Sequence, residues 1–224
     1  MYNNFIYLAK IDLSLPEEVY QRLLPMISQK NQERCRRFRL KADALRTLYG
    51  ELMVRHVLIQ HFSFANKDIE ILQSAEGKPY VQGLPFHYNI SHAGDYVVCA
   101  FSELPVGIDI EEISDIDLNL AKTVFSSYEY DALYRQDPSN RLDYFFSLWT
   151  LKESYIKWLG DGMSVPLKSF SFRIVGHQIY LEDAYRQAKP FFRQWQLAGY
   201  KMSLCSMLRD FRDKIECFEV EQFR

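Results

Sequence analysis

Residues 106–112 read VGIDIEE. Val106, Ile108 and Ile110 alternate with Gly107, Asp109 and Glu111, the two-residue period of a strand with one apolar face. The same alternation sets two carboxylates side by side on the other face. At about 6 Å and an effective dielectric near 20, such a pair repels by roughly 3 kcal/mol. Two readings are open at this point. One is a strand end turning to solvent, which the acidic continuation EEISDIDLN favours. The other is a site for a hard divalent cation, magnesium above all, with water and substrate phosphates completing its oxygen ligands.

Working outward, the chain repeats one order of elements. Before the acidic strand, NFIYLA (4–9) predicts a first strand and LSLPEEVYQRLL (13–24) a helix, with Ser14 as its cap and Pro25 as its stop. A basic segment, SQKNQERCRRFRLK, follows. The helical spacing of Leu45, Leu48, Tyr49, Leu52 and His56 predicts a long helix with Asp43 at its cap. Short strands follow at IEIL, KPYV, HYNI and YVVCAFS, punctuated by EGKP and SHAGD. After the acidic strand come a short helix at SSYEYDAL and a long one at RLDYFFSLWTLKESYIKWL, stopped by Gly160. Strands FSFRIV, QIYLE, RQWQLA and YKMSLCSML close the series. The expected class is α+β. Two similar halves, 1–104 and 105–224, would each pack a small antiparallel sheet on a long helix and share one interface.

Composition narrows the function classes. The 224 residues are 48% hydrophobic and 15% aromatic, which argues against long disordered stretches. A net charge of −2 is not that of a general nucleic-acid binder. Cys35, Cys99, Cys205 and Cys217 have neither CxxC nor metal-finger spacing, so reduced thiols are expected. The N-terminus lacks a basic leader, and no apolar run reaches the ~18 residues of a membrane span. The expectation is a cytoplasmic protein without membrane or nucleic-acid partners.

A third acid bears on the two readings. WTLKESYIKW (149–158) sets Glu153 and Lys157 four apart on one helical face, with Trp149 one turn before Glu153. An exposed Glu–Lys pair contributes only ~0.3–0.5 kcal/mol. Yet Phe145, Phe146, Tyr155, Ile156 and Trp158 leave this helix little purely polar face. A partly buried acid and lysine is therefore the competing reading.

VGIDIEE together with WTLKESYIK resembles the phosphopantetheinyl transferase superfamily. YNISHAGDYVVCAF, EGKPY and CRRFRLKADALRTLYG are similar to its surfactin-type (Sfp-type) branch, in order from about Lys30 to Pro166. The resemblance implies magnesium-dependent transfer of the phosphopantetheine arm of coenzyme A to a serine of an apo carrier protein, releasing 3′,5′-ADP. It implies Asp109, Glu111 and Glu153 as magnesium ligands, with manganese as a substitute, and Lys157 at the phosphates. Glu153 is also a candidate base for the serine, with a water on the metal as the alternative. Glu129, in SSYEYD, matches a carboxylate near the metal, while Ser126 and Glu129 equally read as a capping box.

The same resemblance implies coenzyme contacts from Lys78, Ser91 and His92, the last two at a hairpin tip. It extends them to Lys30, Arg34, Arg46 and Thr47 in the basic run. One departure is visible: Asn31 stands where the branch tends to have lysine, although Arg34 keeps the charge and Lys30 lies one residue earlier. Ile116, Leu118, Val124 and Phe125 read either as a carrier-docking face or as core. The implied partners are peptidyl, acyl or aryl carrier proteins. Small acyl-carrier-protein synthases of this superfamily build the site between identical subunits. Here one chain carries both halves, so a monomer with one site is expected. A magnesium-dependent phosphohydrolase and a non-catalytic coenzyme- or carrier-binding module are the competing functions.

Overall fold

Alternation along four strands decides how the layers stack. In β1 (Asn4–Lys10), Tyr7 and Ala9 join one core cluster while Ile6 joins another. In β5 (Tyr96–Ser102), Val97, Cys99 and Phe101 face the first cluster, and Val98 and Ala100 the second. In β6 (Val106–Glu112) and β10 (Tyr200–Ser206), Val106, Ile108, Ile110, Met202 and Leu204 point into that same second cluster. Two sheets therefore pack face to face through short β-branched and aliphatic side chains. A long helix covers each outer face.

The computed structural model describes residues 4–75, 77–84, 86–160, 165–183, 188–209 and 211–223, with backbone only at 212–214 and 222. The first sheet has the order β11-β1-β5-β4, with β4 at His87–Ala93 and β11 at Phe211–Cys217. Helix α3 (Lys41–Phe62) covers it, burying Leu45, Leu48, Leu52 and Met53 completely. Each such leucine contributes roughly 1.5–3 kcal/mol relative to exposure. The second sheet has the order β6-β10-β9, with β9 at Phe191–Leu197. Helix α6 (Arg141–Leu159) covers it through Phe145, Leu148, Leu151 and Tyr155. Two hairpins stand apart: β2 (Ile71–Gln73) with β3 (Pro79–Val81), and β7 (Phe170–Val175) with β8 (Gln178–Asp183). Helices α1 (Glu17–Leu23), α2 (Gln29–Arg37), α4 (Ala121–Val124) and α5 (Ser127–Tyr134) complete the fold.

The α+β class and the two-half plan hold, and the structure adds to them. Strand β11 runs parallel to β1, so the C-terminal segment returns to the first sheet, and Phe218, Val220 and Phe223 enter the first core cluster. The strand reading stopped at Leu208, because FRDKIEC carries a charged alternation suited to a sheet edge. Two caps differ as well. Helix α1 begins after Pro16, which occupies its N-cap position without a side-chain cap, while Ser14 bonds Asp12 instead. Helix α3 begins at Lys41, so Asp43 lies in its first turn and pairs with Arg46 at 2.6 Å.

The seam between the halves runs along β4 and β6, and side chains replace a backbone ladder there. The Ile108 amide donates to Asn89 Oδ1 at 2.9 Å, and the Ile110 amide to Ser91 Oγ at 3.4 Å. Asn89 and Ser91, two apart on β4, thereby fix β6 and the face it presents to α6.

Candidate active site

With its apolar residues turned to the sheet interface, β6 directs Gly107, Asp109 and Glu111 at α6. Helical spacing brings Glu153 and Lys157 to the same place. These four charged residues line a cavity of about 700 Å³ with Ser91, His92 and Trp149. Asp109 is 2% exposed. Its Oδ1 accepts from Lys157 Nζ at 2.6 Å and from Ser91 Oγ at 2.9 Å. Glu111 Oε1 accepts from the Trp149 indole at 3.1 Å.

The electrostatics of this cluster are those of too many anions in one place. Burial, and then the Asp109 charge, pushes Glu111 up to about 7. The same two causes raise Glu153. Burial raises Asp109 too, against the opposing pull of Lys157. Asp109 Oδ2 is buried with no hydrogen-bond partner. Among the described residues, no three acid, histidine or cysteine side chains converge as a ready-made metal cage. The donor set nevertheless fits a hard cation that draws further oxygens from a ligand: three carboxylates, one with an orphaned buried oxygen.

A second cavity, of about 270 Å³, adjoins the first, and Ile90 and His92 line both. Lys30, Arg34, Arg46 and Thr47 line it, so these sequence-predicted contacts are brought together. Arg46 is held by the Gly94 carbonyl at 2.6 Å, Arg34 lies 5.3 Å over the Phe38 ring, and Lys30 donates to Gln73. Asn31 has a different task. Its amide donates to Glu51 Oε2 at 2.6 Å, and the buried Glu51 also takes Arg55 and both the amide and hydroxyl of Ser28. Asn31 thus ties α2 to α3. His92 keeps part of its ring at the surface; burial of the rest, and then Arg46 and Lys157, lower its pKa.

Three expectations are corrected, and one open pair of readings is decided. Ser91 and His92 lie within β4, whose hairpin turns at Gly94 and Asp95, two residues past His92. Glu129 is not brought to the cavity. It is fully buried, pairs with Lys152 at 2.9 Å, accepts the Phe172 amide at 2.8 Å and closes a capping box with Ser126. Its charge is spent on α5 and β7. Val124 and Phe125 are buried in the second core cluster, with Ile116 and Leu118 packed against it, so the core reading of that segment prevails. Lys78 lines neither cavity: its ammonium donates to the Lys157 carbonyl at 2.7 Å and the Val106 carbonyl at 3.3 Å.

Some site residues escaped the sequence reading. Asn89 was legible as one of two polar residues spaced by two in HYNISH. The cavity wall at Val165, Pro166 and Leu167 lies beyond the helix with no motif to mark it. It is held by Lys152, which donates to the Leu167 carbonyl at 2.7 Å.

A family model described as "4'-phosphopantetheinyl transferase superfamily" matches residues 105–205, and one described as "4'-phosphopantetheinyl transferase, N-terminal" matches residues 15–104. The chain is 39% identical to the 4'-phosphopantetheinyl transferase Sfp of Bacillus subtilis (strain 168), over 97% of this chain and 98% of that protein. It is 38% identical to the 4'-phosphopantetheinyl transferase gsp of Aneurinibacillus migulanus, over 89% and 84%. It is 30% identical to the human L-aminoadipate-semialdehyde dehydrogenase-phosphopantetheinyl transferase, over 74% and 58%. Acids, lysine and basic helix thus belong to one long alignment, and the chain is a member of the 4'-phosphopantetheinyl transferase superfamily, in its surfactin-type branch.

Proposed function

We propose that this enzyme transfers the 4′-phosphopantetheine arm of coenzyme A to the serine of an apo carrier protein and releases 3′,5′-ADP. The observation that carries this reading is the pair of adjoining cavities at the seam, one lined by three carboxylates and a lysine, the other basic. Coenzyme A has the matching charge layout, a pyrophosphate some distance from a 3′-phosphate. Asp109, Glu111 and Glu153 would hold magnesium, or manganese in its place. When bound, that cation would neutralise the carboxylates and the pyrophosphate oxygens. Lys157 and Ser91 would face the pyrophosphate, and His92, Lys30, Arg34, Arg46 and Thr47 the 3′-phosphate end.

The chain's own groups then position and discharge. The serine Oγ attacks the phosphorus nearer the pantetheine arm, and the bond from that phosphorus to the bridging oxygen breaks, leaving on 3′,5′-ADP. Glu153, which lines the cavity, would take the serine proton at a carboxylate oxygen, with water as the alternative base. Lys157 supplies fixed positive charge where the leaving oxygens gather theirs. In this division of labour residues 1–104 bind the coenzyme and residues 105–224 carry the chemistry, within one monomer. A cytoplasmic setting follows from the substrate and agrees with four free cysteines. No described helix is long and apolar enough to cross a membrane. Peptidyl, acyl and aryl carriers are the partner class.

Incubation with coenzyme A, magnesium and an apo carrier should raise the carrier's mass by one phosphopantetheine. EDTA should stop this, and magnesium or manganese should restore it. Hydrolysis of coenzyme A with the carrier unchanged would mark a phosphohydrolase, and binding without reaction a carrier or coenzyme module.

Coenzyme A lacking its 3′-phosphate should be a poorer substrate by roughly 10–100-fold in kcat/KM, the worth of a lost charged hydrogen bond or two. Burial, and then Arg46 and Lys157, lower the His92 pKa and favour its neutral form in the free enzyme, and an arriving phosphate favours the protonated one. The preference for the 3′-phosphate should therefore grow as pH falls from about 8 to 6, the range of a histidine. His92→Ala should flatten it. Equal use of both substrates would remove the 3′-phosphate from the basic cavity.

A further inference from the structure

The hairpin that joins β2 to β3 touches the two ends of the site through alternate residues. Gly77 and Pro79 line the basic cavity. Lys78, between them, lines a different cleft with Trp158 and Gly160, the last turn and C-cap of α6. The turn is internally fixed: the Gly77 amide donates to the Ser74 carbonyl at 2.9 Å, and the Lys78 amide to Ser74 Oγ at 3.2 Å. Helix α6 ends at Gly160, whose φ of +79° suits glycine, and a β-carbon there would lie 3.9 Å from Lys78 Cδ. The lysine stem therefore lies along the helix end, and its ammonium reaches the Lys157 carbonyl at 2.7 Å and the Val106 carbonyl at 3.3 Å.

Both acceptors belong to the catalytic half at consequential positions. Carbonyls of a last helical turn lack intrahelical partners, and a cation there is favoured by the helix dipole. The Lys157 carbonyl sits on the residue whose own ammonium holds Asp109. Val106 opens the strand that carries Asp109 and Glu111. One lysine from the coenzyme-binding half thus spans strand and helix where the carboxylate face begins.

We propose that Lys78 is a positioning residue: its ammonium clamps the hairpin of the basic cavity to α6 and β6, and so fixes Lys157 and Asp109 relative to the bound coenzyme. This rests on the transferase reading above. It assigns the Lys78 ammonium to alignment of the reacting groups. Misplacement of reacting groups by about 1 Å costs on the order of 100-fold in rate, with little effect on ground-state binding.

Lys78→Met keeps the stem and removes the ammonium, while Lys78→Arg keeps a cation with several donors. Calorimetry gives coenzyme A affinity, and carrier modification gives kcat at saturating coenzyme. Lys78→Met is expected to lower kcat by about 10–100-fold, with coenzyme affinity within about 3-fold of wild type. Lys78→Arg should recover most of kcat. A Lys78→Met protein that binds coenzyme tenfold more weakly but turns over normally at saturation overturns the proposal in favour of a ligand contact. Unchanged kcat and affinity overturn it too. If Lys78→Met loses its near-ultraviolet circular dichroism and does not fold, Lys78→Arg decides: wild-type affinity with near-wild-type kcat supports the clamp, and weakened affinity overturns it. A wild type that leaves the carrier unmodified rejects the transferase reading itself, a result independent of any Lys78 variant.

Discussion

Asp109→Asn is expected to slow carrier modification by about three orders of magnitude or more while the protein stays folded. The substitution keeps the shape of the side chain and removes one negative charge. That charge has three uses in the proposed reaction: it holds Lys157 at 2.6 Å, it accepts from Ser91 at 2.9 Å, and its orphaned Oδ2 is available to a cation. Loss of one fixed electrostatic contact to a transition state costs about 100–1,000-fold, and a metal ligand contributes further. Stability should move the other way or hardly at all, because burial raises Asp109, Glu111 and Glu153 together. The sign follows from proton linkage. A carboxyl whose folded pKa is raised binds its proton more tightly in the folded state, so stability is greatest below the unfolded pKa. For Glu111 it falls as pH rises from 4.5 to about 7. Thermal melts in EDTA should show this decline, and Asp109→Asn should lessen it by removing the neighbouring charge. An Asp109→Asn enzyme with more than a tenth of wild-type turnover would show that this charge is dispensable.

What could be read from the sequence, and what could not, divides along a physical line. Period-two and period-3.6 patterns are local, so β6 and α6 were legible from residues 106–112 and 149–158, while a common site for Asp109, Glu153 and Lys157 was implied only by the family resemblance. The basic cavity was legible as a set of residue types. The partner of each buried polar group was not, because that depends on packing across the chain. Glu129 and Glu153 are both carboxylates on helices of the second half. The sequence offered the capping box of Glu129, but only the fold shows that Glu129 finds Lys152 while Glu153 faces the cavity. Asn31 looked like a lost cation until the buried Glu51 appeared opposite it. Strand β11 pairs with a strand some two hundred residues earlier, a distance at which no local pattern carries information.

Gly107→Ala is expected to be nearly as damaging as the loss of Asp109, for a reason of space alone. A β-carbon on Gly107 would lie 2.0 Å from the Ser154 carbonyl oxygen, 2.4 Å from the Trp158 amide nitrogen and 3.0 Å from the Lys157 carbonyl carbon. All three are backbone atoms of α6, which no rotamer change can move. The face of β6 that meets the helix thus begins with a residue that has no side chain, and this close approach lets Glu153 and Lys157 reach Asp109 and Glu111. With alanine there, strand and helix must separate or twist. Overpacking of this kind costs roughly 1–3 kcal/mol or more, and a melting temperature lower by several degrees should report it. Activity should fall further than stability, by about 100-fold, since the separation opens the distance between the carboxylates of β6 and the lysine of α6. The surrounding scaffold should survive, because the clusters under α3 and between the sheets draw on other residues. A Gly107→Ala protein with wild-type melting temperature and more than half the wild-type rate would mean that β6 and α6 can part without disturbing the carboxylate cluster, and the contact would then be one of packing convenience, with no part in setting the site.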